Sequence, residues 1–147
     1  MTPRDRRICR KCWNAKITPV YHPETVTVQY DGEEWSLFIP KMPVFQCPAC
    51  GHQPKGWGRY EIGQVVNHAL AKKAGVLMPD EIAAMHDPDV YNYRKIARAI
   101  TSFSGKSVYW ASISCWEDGM CVQGRAMDAI LRRYRRHLQN CKERTAE

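Results

Sequence analysis

The sequence predicts an α+β protein in which a small β-hairpin domain precedes a region made only of helices. Residues 26–39 place β-branched and aromatic side chains around Asp31-Gly32, a dipeptide typical of a two-residue hairpin turn. Beyond residue 56 apolar side chains recur at intervals of three and four, which is the spacing of amphipathic helices. The glycine-containing stretch 55–58 separates the two patterns and predicts a domain boundary.

Composition limits the classes of function. The chain has 147 residues, 44% of them hydrophobic and 25% charged, which is typical of a globular protein of one or two small domains. No apolar run approaches the roughly 20 residues that span a bilayer, and the basic N-terminus has no apolar stretch behind it. We therefore expect a cytoplasmic protein without a membrane partner. The net charge of +7 favours an acidic partner such as nucleic acid.

Four of the seven cysteines form two C-x-x-C pairs, and they predict a structural zinc ion. An odd number of cysteines in a chain without an export signal argues against a disulfide framework. Two C-x-x-C turns supply four thiolates in the closed tetrahedral geometry of structural Zn²⁺. Domain 1–56 is too small to bury much core, and a metal supplies the missing stability. The predicted ligands are Cys9, Cys12, Cys47 and Cys50.

Other interpretations of the cysteine pairs stand beside structural zinc. A rubredoxin-like iron centre also uses two C-x-x-C turns, and a single pair can serve as a redox dithiol. His52 lies close enough to Cys50 in sequence to replace one sulfur as a ligand. Four protein ligands leave no open coordination position, so we expect a structural rather than a catalytic metal.

Five helices are predicted after the β domain. A connecting helix lies within 57–76, covers residues 60–74 and ends at Gly75, and domain 77–147 holds the remaining four. Helix periodicity and breakers predict a short helix that begins at Pro79 and is broken at 87–89, followed by helices near 92–103, 108–117 and 124–139. A short pair of helices around a glycine-containing turn suggests a helix-turn-helix domain.

Three segments of the helical region carry a resemblance. Residues 113–119, Ile-Ser-Cys-Trp-Glu-Asp-Gly, resemble the end of the recognition helix in repressor-like, XRE/Cro-type helix-turn-helix domains. Residues 125–128 resemble the next helix of that superfamily, and residues 78–82 resemble its opening helix. Together with the two cysteine pairs, the hairpin and the connecting helix, the chain resembles the MqsA or YgiT-type zinc-finger antitoxins over nearly its whole length.

The resemblance implies a function. It implies an N-terminal zinc domain that binds and neutralises an mRNA-cleaving ribonuclease toxin. It also implies a C-terminal domain that forms a homodimer and represses its own operon by binding double-stranded DNA at a palindromic operator. Without a toxin, the same architecture would be a stand-alone regulator, for example one encoded by a phage or mobile element.

The predicted DNA-binding residues lie around the start of the fourth helix. We expect the arginine and lysine side chains to contact phosphates and the others to face the major groove. The set comprises Arg94, Lys95, Arg98, Lys106, Ser107, Tyr109, Trp110 and Ser112. Each also has an ordinary alternative, which is core packing for the aromatic rings and a solvated helix face for the others.

The sequence departs from the usual pattern of that family at three neighbouring positions. Cys115 stands where the family often has a guanine-reading arginine, Ala111 where it often has Asn or Ser, and Tyr93 where it often has a phosphate-contacting Gln. These departures leave a protein-interaction adaptor that no longer reads DNA as a third interpretation. The arginine run 132–136 is interpreted as a solvated face, a phosphate-contacting strip or a docking site for an acidic partner. No nucleophile–base arrangement, phosphate-binding glycine loop or carboxylate pair indicates an enzyme.

Overall fold

The computed structural model describes residues 7–86 and 92–146 and has mixed α+β architecture, as predicted. A two-stranded antiparallel sheet comes first, and five helices follow within the described residues. The predicted break at 87–89 lies outside the described residues. None of the described helices is long and apolar enough to cross a membrane. The elements are β1 (Thr18–Tyr30), β2 (Glu33–Gln46), α1 (Arg59–Ala74), α2 (Pro79–Ala83), α3 (Tyr93–Ser104), α4 (Trp110–Glu117) and α5 (Arg125–Thr145).

The hairpin turn matches its prediction, but the strands are longer than the sequence suggested. Asp31 and Gly32 have φ values of 53° and 81°, the positive values that a two-residue type I′ turn requires. The ladder continues to the pairing of Thr18 with Gln46, although several prolines lie along it. Each strand of a two-stranded sheet has one edge without a neighbour, so a proline there interrupts no second ladder. Pro23 lies where the register shifts, between His22 and Glu24.

The connecting helix α1 packs against the hairpin. Tyr30 and Leu37 from the strands form one buried cluster with Leu70 and Ala71 of α1 and with Val76. The helix ends at Gly75, whose φ of 72° is the left-handed conformation of a helix C-cap. On its other side, α1 is tied to the end of α4, since Gln64 and Asn67 donate to the carbonyls of residues 118 and 119 at 2.9 and 2.8 Å.

The helices from α2 to α5 enclose the larger apolar core. Its buried members come from all four helices and from their connections, and they include the large ring of Trp116. The cluster comprises Leu77, Ile82, Ala97, Ile100, Val108, Ile113, Trp116, Ile130 and Leu131. Burial of this continuous surface stabilises the arrangement of the helices, of which α2, α3 and α4 are too short to be stable alone in water.

Two helix boundaries differ from the sequence prediction. Helix α4 begins at Trp110 rather than at Val108, because Val108 is buried and its N–H donates to Thr101 Oγ1 at 3.1 Å instead of starting the helix. Helix α5 continues to Thr145 rather than ending near residue 139. Residues 140–145 are exposed and form no apolar stripe, so periodicity does not predict that they are helical. None of them is a glycine or a proline, so the helix is able to continue through them.

A buried polar network joins α5 to the connection between α1 and α2. The carboxylate of Asp128, which is only 6% exposed, accepts from the N–H of Leu77 at 2.7 Å and from Gln123 Nε2 at 3.1 Å. Its other oxygen accepts from Arg132 Nε at 2.8 Å, and Arg132 also donates to the carbonyl of Gly75. Buried polar groups must be paired in this way to avoid a large desolvation cost.

The same network reaches the hairpin. The hydroxyl of Tyr30, at the end of β1, donates to the carbonyl of Gln123 at 2.8 Å. The Gln123 side chain is buried and donates to the carbonyl of Leu77 at 2.9 Å. Hairpin and helical core are therefore held together by specific hydrogen bonds as well as by α1.

Candidate functional site

The four cysteines of the two C-x-x-C pairs come together at the open end of the hairpin. All four sulfur atoms lie within 4.8 Å of one another. Cys9 Sγ is 3.7 Å from Cys50 Sγ, and Cys12 Sγ is 3.6 Å from Cys47 Sγ. The cluster is a candidate metal site, and the predicted ligand set is the set that the fold assembles.

Both C-x-x-C segments have the same backbone turn. In the first, the N–H of Trp13 donates to the carbonyl of Cys9 at 2.9 Å, and in the second the N–H of Gly51 donates to the carbonyl of Cys47 at 2.9 Å. The residue after each second cysteine therefore has positive φ, 60° at Trp13 and 73° at Gly51. The role of Gly51 follows from its residue type. The matching conformation at Trp13 was not predicted, because a tryptophan rarely occupies this region.

The spacing of the sulfurs fits a tetrahedral ion. Zn–S bonds of about 2.3 Å in a regular tetrahedron place neighbouring sulfurs about 3.8 Å apart, close to the two separations measured here. Cys9 and Cys47 are buried, and Ile17, Phe45 and Trp57 pack around them. Cys12 is half-buried and Cys50 is exposed, so the apolar residues cover one side of the cluster and leave the other accessible to water.

Within the cluster, the pKa values of Cys9 and Cys50 are shifted in opposite directions. The pKa of Cys9 is lowered to about 6, mainly by a hydrogen bond from the backbone N–H of Cys12, which outweighs the effect of burial. A backbone hydrogen bond at His52 also lowers the pKa of Cys50, but burial and hydrogen bonds from the other thiols outweigh it and raise the pKa to about 11. A divalent cation would relieve the repulsion that opposes full ionisation of the cluster.

One glycine joins the candidate metal site to α1. Gly58 precedes the helix with a φ of 73°, and a Cβ atom built on it would lie 2.3 Å from two ring carbons of Phe45. Only glycine allows the start of α1 to approach the wall of the cysteine cluster so closely. Within the stretch 55–58 that was predicted to break the secondary structure, Gly58 is therefore also required by packing against Phe45.

The predicted DNA-binding residues all lie on α3, on the α3–α4 connection and on the first turn of α4. Their side chains are exposed, except for that of Ser112, which is half-buried. Tyr109 is 64% exposed and Trp110 is 37% exposed, so neither ring is a core residue. Five of the eight line one groove of about 530 Å³, namely Arg94, Arg98, Ser107, Tyr109 and Trp110, whereas Lys95, Lys106 and Ser112 do not.

The groove between α3 and α4 is basic and partly aromatic. Its other lining residues in the described part of the chain are Ala97, Thr101, Ser102 and Val108, so none of the described residues that line it is acidic. The guanidinium of Arg94 lies 5.7 Å from the centre of the Trp110 ring, and the Tyr109 and Trp110 rings are 5.6 Å apart. Asn92 caps the start of α3 by accepting from two backbone N–H groups, whereas no side chain caps the start of α4.

Tyr93 and His86, which lie near the groove in sequence, both contact the carboxylate of Glu117 on α4. Tyr93 donates from its hydroxyl to Glu117 at 2.8 Å, and His86 contacts the other oxygen of that carboxylate. The hydrogen bond to Glu117 raises the pKa of Tyr93 to about 12. The hydroxyl of Tyr93 is therefore bound to α4 and is not free to contact a phosphate.

The arginine run on α5 divides into two groups. Arg132 is bound to the buried Asp128, and Arg135 lies 3.4 Å from Glu81, so both side chains are paired with acids of the same chain. Arg133 and Arg136 are exposed, as a solvated face requires. The buried partner Asp128 was not predicted from the sequence, because an acid in the first turn of a helix is ordinarily a surface residue.

Comparison of the chain with models of known protein families, with curated proteins and with solved structures found no match.

Proposed function

We propose that this protein is a zinc-stabilised transcriptional regulator that binds double-stranded DNA through the groove between α3 and α4. The single observation that carries the proposal is the chemistry of that groove. It combines arginines, hydroxyl groups and exposed aromatic rings, and none of the residues described along its lining is acidic. Such a surface is suited to a polyanion, and a short helix with an exposed first turn is a typical reading element for the major groove.

The proposed roles follow from position and charge. Arg94, Lys95 and Arg98 on α3, with Lys106 before α4, would contact phosphates, where they provide affinity and orientation but no sequence information. Ser107, Tyr109, Trp110 and Ser112 would face base edges. The start of α4 has no side-chain cap, so its backbone N–H groups are also suited to a phosphate oxygen.

Zinc in this proposal is a structural cofactor. Cys9, Cys12, Cys47 and Cys50 would hold one Zn²⁺, which cross-links the N-terminal segment to the end of β2. Because Phe45 packs both at the cysteine cluster and against Gly58, the metal would also fix the start of α1. Metal content by mass spectrometry separates zinc from the rubredoxin-like iron alternative, which is coloured and redox-active.

The resemblance extends the proposal to regulation and partners. A homodimer would place two copies of the groove on the half-sites of a palindromic operator upstream of its own gene. As an antitoxin, the protein would also bind a ribonuclease toxin through its N-terminal domain. Val20, Tyr21 and Phe38 are large apolar side chains exposed on the hairpin, and such side chains favour a protein partner there.

The proposal is tested with variants of matched chemistry. Arg98→Ala removes a cation that lines the groove, whereas Arg59→Ala removes an exposed arginine at the start of α1. Fluorescence anisotropy is measured with the duplex upstream of the gene and with an unrelated duplex. We expect Arg98→Ala to weaken binding to both duplexes by a similar factor and Arg59→Ala to leave binding unchanged. Equal effects of the two variants would contradict the assignment of the groove.

A protein-interaction adaptor is the second candidate, because Cys115 and Ala111 replace side chains that read bases in the family. It predicts that neither duplex binds in a salt-dependent manner and that the protein instead forms a complex with another protein. A co-purification experiment with the product of the neighbouring gene then separates the antitoxin, which forms a complex, from a stand-alone regulator, which does not.

A further inference from the structure

The start of α4 has an unusual set of side chains for a reading element. Residues 107–112 read Ser-Val-Tyr-Trp-Ala-Ser, and Val108 is buried. None of the others carries an amide, a guanidinium or an ammonium group, which are the groups that recognise guanine and adenine through paired hydrogen bonds. A serine hydroxyl can bond to any base and discriminates little. Hydrogen-bond readout from this turn is therefore weak.

Apolar ring surface is what this turn offers instead. Tyr109 is the most exposed of its large side chains, at 64%. The neighbouring Trp110 ring lies beside it, with its centre 5.6 Å from the centre of the Tyr109 ring and 5.7 Å from the guanidinium of Arg94. Tyr109 and Trp110 together form an exposed aromatic surface along the basic groove. Exposed aromatic surface of this kind gains free energy when an apolar group covers it.

Only one apolar group is displayed in the major groove of ordinary duplex DNA. It is the C5 methyl group of thymine, and apolar side chains contact it in known complexes. We propose that this protein distinguishes A·T from G·C pairs by contact of the Tyr109 ring with thymine methyl groups. Arg94, Lys95, Arg98 and Lys106 would supply the sequence-independent affinity. This inference rests on the proposed binding of duplex DNA.

Four synthetic duplexes of equal length and equal charge test the proposal. They have alternating A-T, A-U, G-C and G-(5-methyl)C sequences, where U is deoxyuridine. A-T is compared with A-U, and methylated G-C is compared with G-C. Each member of a pair differs from the other only by the methyl group in the major groove. Burial of one methyl group corresponds to a change in Kd of about fourfold. We therefore expect A-T to bind at least about fourfold more tightly than A-U, and methylated G-C to bind more tightly than G-C.

Variants assign the effect to Tyr109. Tyr109→Phe keeps the ring and should preserve the ratio of the A-T and A-U affinities. Tyr109→Ala should bring that ratio close to one while salt-dependent binding remains, because the cations are unchanged. Tyr21→Ala removes an exposed tyrosine from the hairpin and should leave the ratio unaltered. Circular dichroism of each variant establishes that the fold is retained.

The outcomes separate this inference from the proposed function. Salt-dependent binding with equal affinity for A-T and A-U would overturn methyl recognition and leave the proposed function standing. A methyl effect that persists in Tyr109→Ala would overturn the role of that residue. Tighter binding of single strands, whose bases stack on aromatic rings, would overturn duplex readout. Absence of binding to all DNA would overturn both the inference and the proposed function.

Discussion

Replacing Asp128 by alanine should be one of the most destabilising single changes in the helical part of this protein. The substitution removes the acceptor of three hydrogen bonds, which come from the backbone of Leu77, from Gln123 and from Arg132. The N–H of Leu77 would be left buried without a partner, at a cost of about 1–3 kcal/mol. Gln123 keeps its bond to the carbonyl of Leu77 and Arg132 is partly exposed, so their losses add about 1 kcal/mol. The sum is about 2–4 kcal/mol.

Asparagine at the same position separates hydrogen bonding from charge. Asp128→Asn keeps an oxygen for Leu77 and Gln123 and loses mainly the charged bond to Arg132, so we expect a cost of about 1 kcal/mol. Glu143→Ala changes an exposed acid on the same helix and should alter stability by less than about 0.5 kcal/mol.

Urea unfolding of the metal-loaded proteins, followed by circular dichroism, measures these differences. An alanine variant that loses less than the asparagine variant would refute the account, because it would mean that the orphaned Leu77 N–H costs nothing. A loss for Glu143→Ala equal to that for Asp128→Ala would refute it as well, because the buried network would then have no special role.

The remaining predictions concern the metal site, one glycine in each of the metal site and α1, and the contact between Tyr93 of α3 and α4. The purified protein should contain one zinc per chain; Cys50→Ser should lose most of it and Cys141→Ser none, as native mass spectrometry would show. Gly51→Ala should destabilise the protein by about 1–2 kcal/mol, because φ is positive there and the added Cβ meets nothing closer than 3.5 Å, so backbone strain dominates. Gly63→Ala, in the interior of α1 with open space around it, should instead stabilise by about 0.5–1 kcal/mol. Tyr93→Phe should cost about 1–2 kcal/mol at neutral pH. Folding raises the pKa of Tyr93 from 10 to about 12. The stability that tyrosine provides over phenylalanine is therefore present below pH 10 and should disappear between pH 10 and pH 12. Unfolding of both proteins at a series of pH values would test this.

The sequence was most informative where local chemistry decides the structure. The Asp31-Gly32 turn, the glycine at the end of α1, the proline at the start of α2 and the four-cysteine cluster all depend on a few adjacent residues. The exposed aromatic and basic set on α3 and α4 was anticipated in another way, from the resemblance to helix-turn-helix domains.

Features that depend on distant partners could not be predicted. The length of the hairpin was underestimated because its prolines look like breakers until the sheet is known to have only two strands. The left-handed conformation of Trp13 follows from the demands of the cysteine cluster rather than from its own preference. The pairing of Asp128 with Gln123 and Leu77 joins residues that have no common sequence signal, and burial is visible only in the fold.

The salt dependence of DNA binding tests the central claim most directly. Four cations are assigned to phosphates in each protomer, Arg94, Lys95, Arg98 and Lys106, so the logarithm of the association constant should fall with the logarithm of salt concentration with a slope of about −3.6 per protomer. Raising the salt concentration fourfold should then weaken binding by about 150-fold per protomer. Anisotropy titrations of the metal-loaded protein with the duplex upstream of its gene measure this slope. A slope near the expected value, with weaker binding to an unrelated duplex, is the result that the account predicts; a slope near zero, or no binding, would contradict it.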